Sequence, residues 1–190
     1  MLEYLYQIDV FFFHLINSWI ANPVFDIVMP FITEVKNFYA VYVLLFVWLI
    51  WRGGRIGRIC AGVLAIAVLI ADPLNSQVIK ELFSRIRPCH SIVENVRLLV
   101  PCGGGKSFPS SHAVNNFIAA FVVSAYFPKS KIYMYIIASA VAISRVYVGV
   151  HYPSDIIGGA IEGIILGWIL ILISNKINDY IQNKKNTSIN

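Results

Sequence analysis

The chain has 190 residues, of which 58% are hydrophobic and only 13% charged, with a net charge of +5 and a mean hydropathy of +0.70. Soluble domains carry about 25% charged residues, so this composition excludes a water-solvated globular domain and requires lipid as the solvent. The positive balance does not indicate nucleic acid, because Lys and Arg form no helical stripe and interleave with no stacking platform; their placement in loops suits membrane topology and phosphate binding.

The length fits one membrane-embedded domain: N-terminal helices over 1–35, a bundle over 36–176 and a polar cytoplasmic tail over 177–190. The first segment, residues 4–20, is apolar but interrupted by Gln7, Asp9, His14 and Asn17, and Pro23 breaks it. Glu3 and Asp9 stand where a signal peptide carries basic residues, so no cleavable leader is expected. Phe11, Phe12, Phe13 and Trp19 suit a helix lying in the membrane interface, with a second short helix over 24–32. The alternative is a sixth span. Five stretches then have the apolar length of a transmembrane helix or nearly so: 38–51, 60–79, 113–127, 132–150 and 156–174. The fold class expected is therefore an all-α integral membrane bundle of five transmembrane helices plus N-terminal interfacial helices.

Loops between five spans alternate sides. Arg52, Arg55, Arg58, Lys129, Lys131, Lys176, Lys184 and Lys185 fall on one side, eight of the 15 basic residues. The positive-inside rule makes that side cytoplasmic. The long connection over 81–112 then faces outward, at the level of His151 and Asp155.

Polar residues concentrate on the outward side. Lys80 ends the second span and Arg87-Pro88 follows; Pro109-Ser110-Ser111-His112 precedes the third span; Ser144-Arg145 closes the fourth, ahead of His151 and Asp155. Lys80, Arg87 and Arg145 offer three cationic donors to the three non-bridging oxygens of a phosphate. Ser110 and Ser111 stand where a helix begins, so hydroxyls and free amides there form an anion site. Pro153 suits the first turn of the last span. That puts His151 and Asp155 four residues apart, where the carboxylate can hold one ring nitrogen and leave the other as a nucleophile. Taken singly, each residue has a plainer reading: a helix cap at Ser110-Ser111, a snorkelling cation at Lys80. Arg145 differs, because it follows an apolar run, where a charge signals function. The conjunction on one membrane face favours a catalytic array.

The pattern Lys80-x6-Arg87-Pro88, Pro109-Ser110-Ser111-His112 and Ser144-Arg145-x5-His151-x3-Asp155 resembles the three-part signature of the phosphatidic acid phosphatase type 2 family. The motifs cover 80–155, and the helix pattern extends the likeness over about 38–174. The resemblance implies a lipid phosphatase in which His151 attacks phosphorus, Asp155 orients its ring and His112 serves as acid and then base. It also implies that Lys80, Arg87, Ser110 and Arg145, with amides near Ser111, hold the phosphoryl oxygens. It implies neither metal nor cofactor, in keeping with an outward face that lacks a carboxylate cluster. Ser111 departs from the family, in which many members have Gly, and puts the contribution of that amide in question.

The partners expected are the bilayer and a lipid phosphate, reached from within the membrane, in a bacterial inner membrane with the site facing the periplasm. Undecaprenyl diphosphate and phosphatidylglycerophosphate lead, with phosphatidic acid and lipid A phosphate possible. A lipid phosphotransferase using the same His–Asp pair is the alternative. A channel or scaffold has no pore-like ring to support it, and a soluble vanadium haloperoxidase is excluded by hydropathy. Nothing indicates oligomeric state. Cys89 and Cys102 share the long outward loop whereas Cys60 lies in a span, so the first two are expected to form a disulfide, with free thiols as the alternative. Asp72, Asn75 and Glu162 belong to no motif and read as bundle-facing polar contacts beside a Pro73 kink.

Overall fold

The computed structural model describes residues 2–91, 93 and 95–187, and every regular element among them is helical. Ser188–Asn190, the end of the expected tail, lies outside the described residues, as does the side chain of Lys185. The helices are α1 (Leu2–His14), α2 (Pro23–Thr33), α3 (Tyr39–Trp51), α4 (Gly54–Pro73), α5 (Lys80–Phe83), α6 (Ser111–Tyr126), α7 (Lys131–Tyr147) and α8 (Pro153–Thr187).

A π-helical turn, Leu74–Ile79, joins α4 to α5, so that Gly54–Phe83 runs as one apolar rod of 30 residues. The wider turn begins directly after Pro73. By length and composition this rod and Pro153–Lys184 can each cross a bilayer, while α1 with its π-turn and α2 meet at a bend of 114°. The large apolar side chains of α3, such as Leu44, Trp48 and Trp51, are more than half exposed. Such a surface is stable only against lipid.

Without a hydrophobic force between helices in lipid, close packing decides which faces meet. Ala61, Ala67 and Ala71 of α4 sit on Val114, Ile118 and Val122 of α6. On the other side of α6, Gly159 and Gly163 bring α8 so near that added Cβ atoms would lie 2.7 Å from the Ser110 carbonyl and 2.5 Å from that of Val114. This four-residue glycine stripe sets the N-terminus of α6 beside that of α8, where the Ser110 amide donates to the Asp155 carbonyl at 3.0 Å.

Three boundaries differ from expectation. The second apolar helix begins at Gly54, placing Arg55 and Arg58 in its first turns rather than in a loop; both are exposed, so their stems cover the helix while the charges reach water. The fourth ends at Tyr147 because Gly149 takes φ +87°, at a spot where a Cβ would lie 2.5 Å from the Arg97 carbonyl. The last helix continues to Thr187, so most of the expected polar tail is helical. Arg55 holds that extension by donating to Asn178 at 2.6 Å.

Candidate active site

All the motif residues gather at one end of the bundle. Pro153 opens α8, as its fixed φ favours, and the first turn brings Asp155 beneath His151, with Oδ2 3.3 Å from Nδ1. The Arg87 Nη1 lies 3.4 Å from the His151 Nε2 and 3.3 Å from the Val150 carbonyl. A guanidinium can only donate, so Nε2 presents its lone pair and the ring proton sits on Nδ1, facing the carboxylate. Burial, opposed by Asp155 and reinforced by Arg87 and Arg145, pushes the His151 imidazole down to about 4. The ring is therefore neutral near pH 7, with its free nitrogen toward the cations.

Asp155 is fully buried, and donors surround it. Its Oδ2 accepts from the Tyr152 amide at 2.8 Å and from the Ser107 hydroxyl, and its Oδ1 accepts from Arg85 at 2.8 Å. Such saturation keeps the carboxylate ionised and immobile, and it leaves few lone pairs for a cation.

The prospective phosphate ligands are less satisfied. Among the described residues, the Nε atoms of Arg87 and Arg145 and the Ser110 hydroxyl are buried without a hydrogen-bond partner. Ser110 occupies the N-cap of α6, yet its side chain bonds no helix amide. The expected capping contact is thus absent, and the hydroxyl is left over. Ser111 and His112, both half-buried, form the first turn of α6. Lys80 lies within electrostatic range of Arg87, Arg145 and Asp155. The His112 ring lies against the Thr33 backbone and within electrostatic range of Arg145, His151 and Lys80. An orphaned buried donor costs about 1–3 kcal/mol. Three such donors, with Lys80 within electrostatic range of both arginines, suit an anion.

Four contributors were not legible as site residues in the sequence. Arg85 bonds Asp155, Ser107 bonds the same carboxylate, Thr33 accepts from Arg145 at 2.7 Å, and Asp9 accepts from Arg85 at 2.6 Å. Asp9 alone carried a signal, as an acid interrupting an apolar helix, which by itself suggests function. Outside the array, Asp72 accepts from Asn115 at 2.9 Å, and Asn75 and Glu162 have buried polar atoms without partners among the described residues. Cys89 and Cys102 are joined, with their Cα atoms 6.1 Å apart, within the span of a disulfide.

The class is a phosphoric monoester hydrolase, on the strength of its phosphatase relatives. The chain belongs to the PAP2 superfamily, whose sequence pattern matches residues 57–179. A lipid A 4'-phosphatase of Bacteroides thetaiotaomicron is 29% identical over 96% of this chain and 84% of its own length. An undecaprenyl-diphosphatase of Bacillus subtilis is 29% identical over 84% of this chain and 80% of its own. The crystal structure of a transmembrane PAP2-type phosphatidylglycerolphosphate phosphatase from Bacillus subtilis superposes with a TM-score of 0.66 at 26% identity, covering 91% of this chain and 87% of that one. The relatives are lipid phosphatases, and this chain shares their fold.

Proposed function

We propose that this chain hydrolyses a phosphate monoester or diphosphate of a membrane lipid through a phosphohistidine on His151. The observation that carries the reading is a His151 Nε2 that keeps its lone pair toward Arg87, beside buried donors on Arg87, Arg145 and Ser110 that have no partner among the described residues. In the first step Nε2 attacks phosphorus in line, the bond to the leaving oxygen breaks (the ester oxygen of a monoester, the bridging oxygen of a diphosphate), and His112, entering the step protonated, gives that oxygen its proton. Asp155 stabilises the charge that develops at Nδ1. In the second step water attacks the phosphoryl group, His112 takes the water proton, and the P–N electrons return to the imidazole as inorganic phosphate leaves. Lys80, Arg87, Arg145, Ser110 and the amides near Ser111 neutralise the equatorial oxygens throughout, the largest contribution expected in such a transfer.

The chain acts as one membrane-embedded domain with five spans, its N-terminal helices lying over the site, in a bacterial inner membrane with His151 facing the periplasm. Exposed Arg52, Arg55, Arg58 and Lys129 at the opposite end of the bundle favour that orientation. The substrate class follows from the relatives, which act on lipid A, undecaprenyl diphosphate and phosphatidylglycerophosphate. A phosphate on a lipid anchor is the chemistry they share. The test is phosphate release by purified protein from those three lipids and phosphatidic acid, with vanadate and with EDTA. We expect inhibition by vanadate and survival in EDTA. Activity lost in EDTA and restored by magnesium contradicts the mechanism, as does phosphate release from none of the four lipids.

A further inference from the structure

We infer that Arg85 is a positioning residue for the His151–Asp155 pair, and that Asp9, on an N-terminal helix outside the segment matched by the PAP2 pattern, sets its geometry. The inference rests on the phosphohistidine reading above. Arg85 is not one of the three cations assigned to phosphate; its guanidinium is engaged elsewhere. Nη1 donates to Asp155 at 2.8 Å and to the Ser154 hydroxyl at 2.6 Å, and Nη2 donates to Asp9 at 2.6 Å. Its plane lies 4.0 Å over the Tyr152 ring. The carbonyl of Arg85 also accepts from the Ser107 amide at 2.7 Å, and the Ser107 hydroxyl is a further donor to Asp155. One residue thus orders two of the groups that fix the carboxylate.

Asp9 closes the arrangement. It is 8% exposed, accepts from the Ser154 amide at 2.9 Å and receives the Ser154 hydroxyl as well. Asp9, Phe13 and Asn17 fall at four-residue intervals on the face that α1 and its π-turn turn inward. Asn17 donates to the carbonyls of Arg97 and Tyr147 at 2.8 and 2.7 Å, anchoring the same helix to the loop before His151. Arg85 is therefore a cation shared by two carboxylates, one catalytic and one from a helix laid across the site. Two-point charge-assisted bonds of this kind fix a plane as well as a distance.

The arrangement has a consequence that simple packing does not. His151 has Asp155 of α8, Arg87 of the long loop, Arg145 of α7 and His112 of α6 within electrostatic range, and Lys80 of α5 lies within range of Asp155 and His112; Arg85 reaches the ring through Asp155, with Asp9 of α1 behind it. Arg85→Gln removes a positive charge from this set and Asp9→Asn removes a negative one. Their effects on the His151 imidazole must have opposite signs: Arg85→Gln raises its titration and Asp9→Asn lowers it. Loosening of the pocket would hydrate the ring and raise it in both.

The experiment is a histidine titration by nuclear magnetic resonance of the full-length protein in detergent, for wild type and both variants, with steady-state kinetics alongside. Expected are opposite shifts of the His151 resonance, together with a fall of roughly 10–100-fold in kcat for Arg85→Gln and little change in KM. Arg85→Lys, which keeps the charge and loses the fork, should recover part of kcat. Upward shifts in both variants, or none in either, overturn the proposal; if Arg85→Gln does not fold, an upward or absent shift in Asp9→Asn alone does so. Because the titration reads the ring without turnover, this failure is separate from failure of the phosphohistidine reading, which is seen as wild-type protein that forms no phosphoenzyme.

Discussion

Gly159→Ala tests how closely catalysis depends on the contact between α6 and α8. The new Cβ would lie 2.7 Å from the Ser110 carbonyl oxygen and 2.8 Å from the Ala113 Cβ, where ordinary contact begins at 3.4 Å. Neither neighbour is the end of a flexible side chain, so the helices must part by about 0.7 Å. That motion carries Ser110 and His112 away from His151 and Asp155, which belong to the other side of the contact. A displacement of about 1 Å can cost roughly 100-fold in rate, so a loss of about ten-fold or more in kcat is expected. Overpacking should cost about 1–3 kcal/mol besides. Gly167→Ala is the control, because its Cβ would meet only the Phe121 side chain, at 3.1 Å, well below the site. Phosphate release and thermal unfolding in detergent report the two effects separately. Wild-type kcat in a folded Gly159→Ala protein refutes the idea that this contact sets the catalytic geometry.

His151 is held down to about 4 by burial, so the acid limb of kcat/KM should lie below the ordinary histidine range near 6.5. The imidazole is the active form, so activity is present above the folded value and lost as pH falls through it. The same depression makes folding stability fall as pH drops from about 6.5 toward 4, since the unfolded chain takes up the proton first; unfolding midpoints across that range check it. Thr33→Val removes the hydroxyl that parks Arg145 and should raise KM several-fold with a smaller effect on kcat, measured by initial rates against lipid concentration. Cys89 and Cys102, 13 residues apart in sequence, should resist alkylation until reductant is added, and Cys102→Ser should lower stability by about 3 kcal/mol in the loop-entropy picture. Free labelling of both thiols in protein from its native membrane contradicts the bridge.

How much of this was readable in the sequence depends on how local the signal was. Apolar runs placed the helices that became α3, α4, α6, α7 and α8, because lipid exposure needs continuous apolar length. The His151-to-Asp155 spacing and Pro153 gave the geometry of the pair, since one helical turn fixes it. Helix ends were misplaced where a glycine or an exposed arginine decided them, as at Gly149 and Arg55. The parts contributed by α1 and α2 were not readable as site residues. Asp9 meets Arg85 and Thr33 meets Arg145 across large sequence separations, and nothing local encodes which acid faces which base. Ser107 stood one residue before the Phe108-Pro109 step of a motif, but only the folded loop turns its hydroxyl to Asp155. The close approach of α8 to α6 at Gly159 and Gly163 was not read from the sequence, since it depends on which face of α6 lies opposite.

The central claim is a covalent phosphoryl group on His151. Labelled lipid substrate, mixed with enzyme and quenched in alkali within one turnover, should leave phosphate on the protein. Digestion should map it to the peptide containing His151, and acid should release it. His112→Ala should form the label slowly and retain it for longer once formed, because each step loses about 10²–10⁴-fold with its acid or base. His151→Ala should show none and should turn over no substrate while remaining folded. A folded His151→Ala protein that releases phosphate at near wild-type rate, or a label that maps to another residue, contradicts the account.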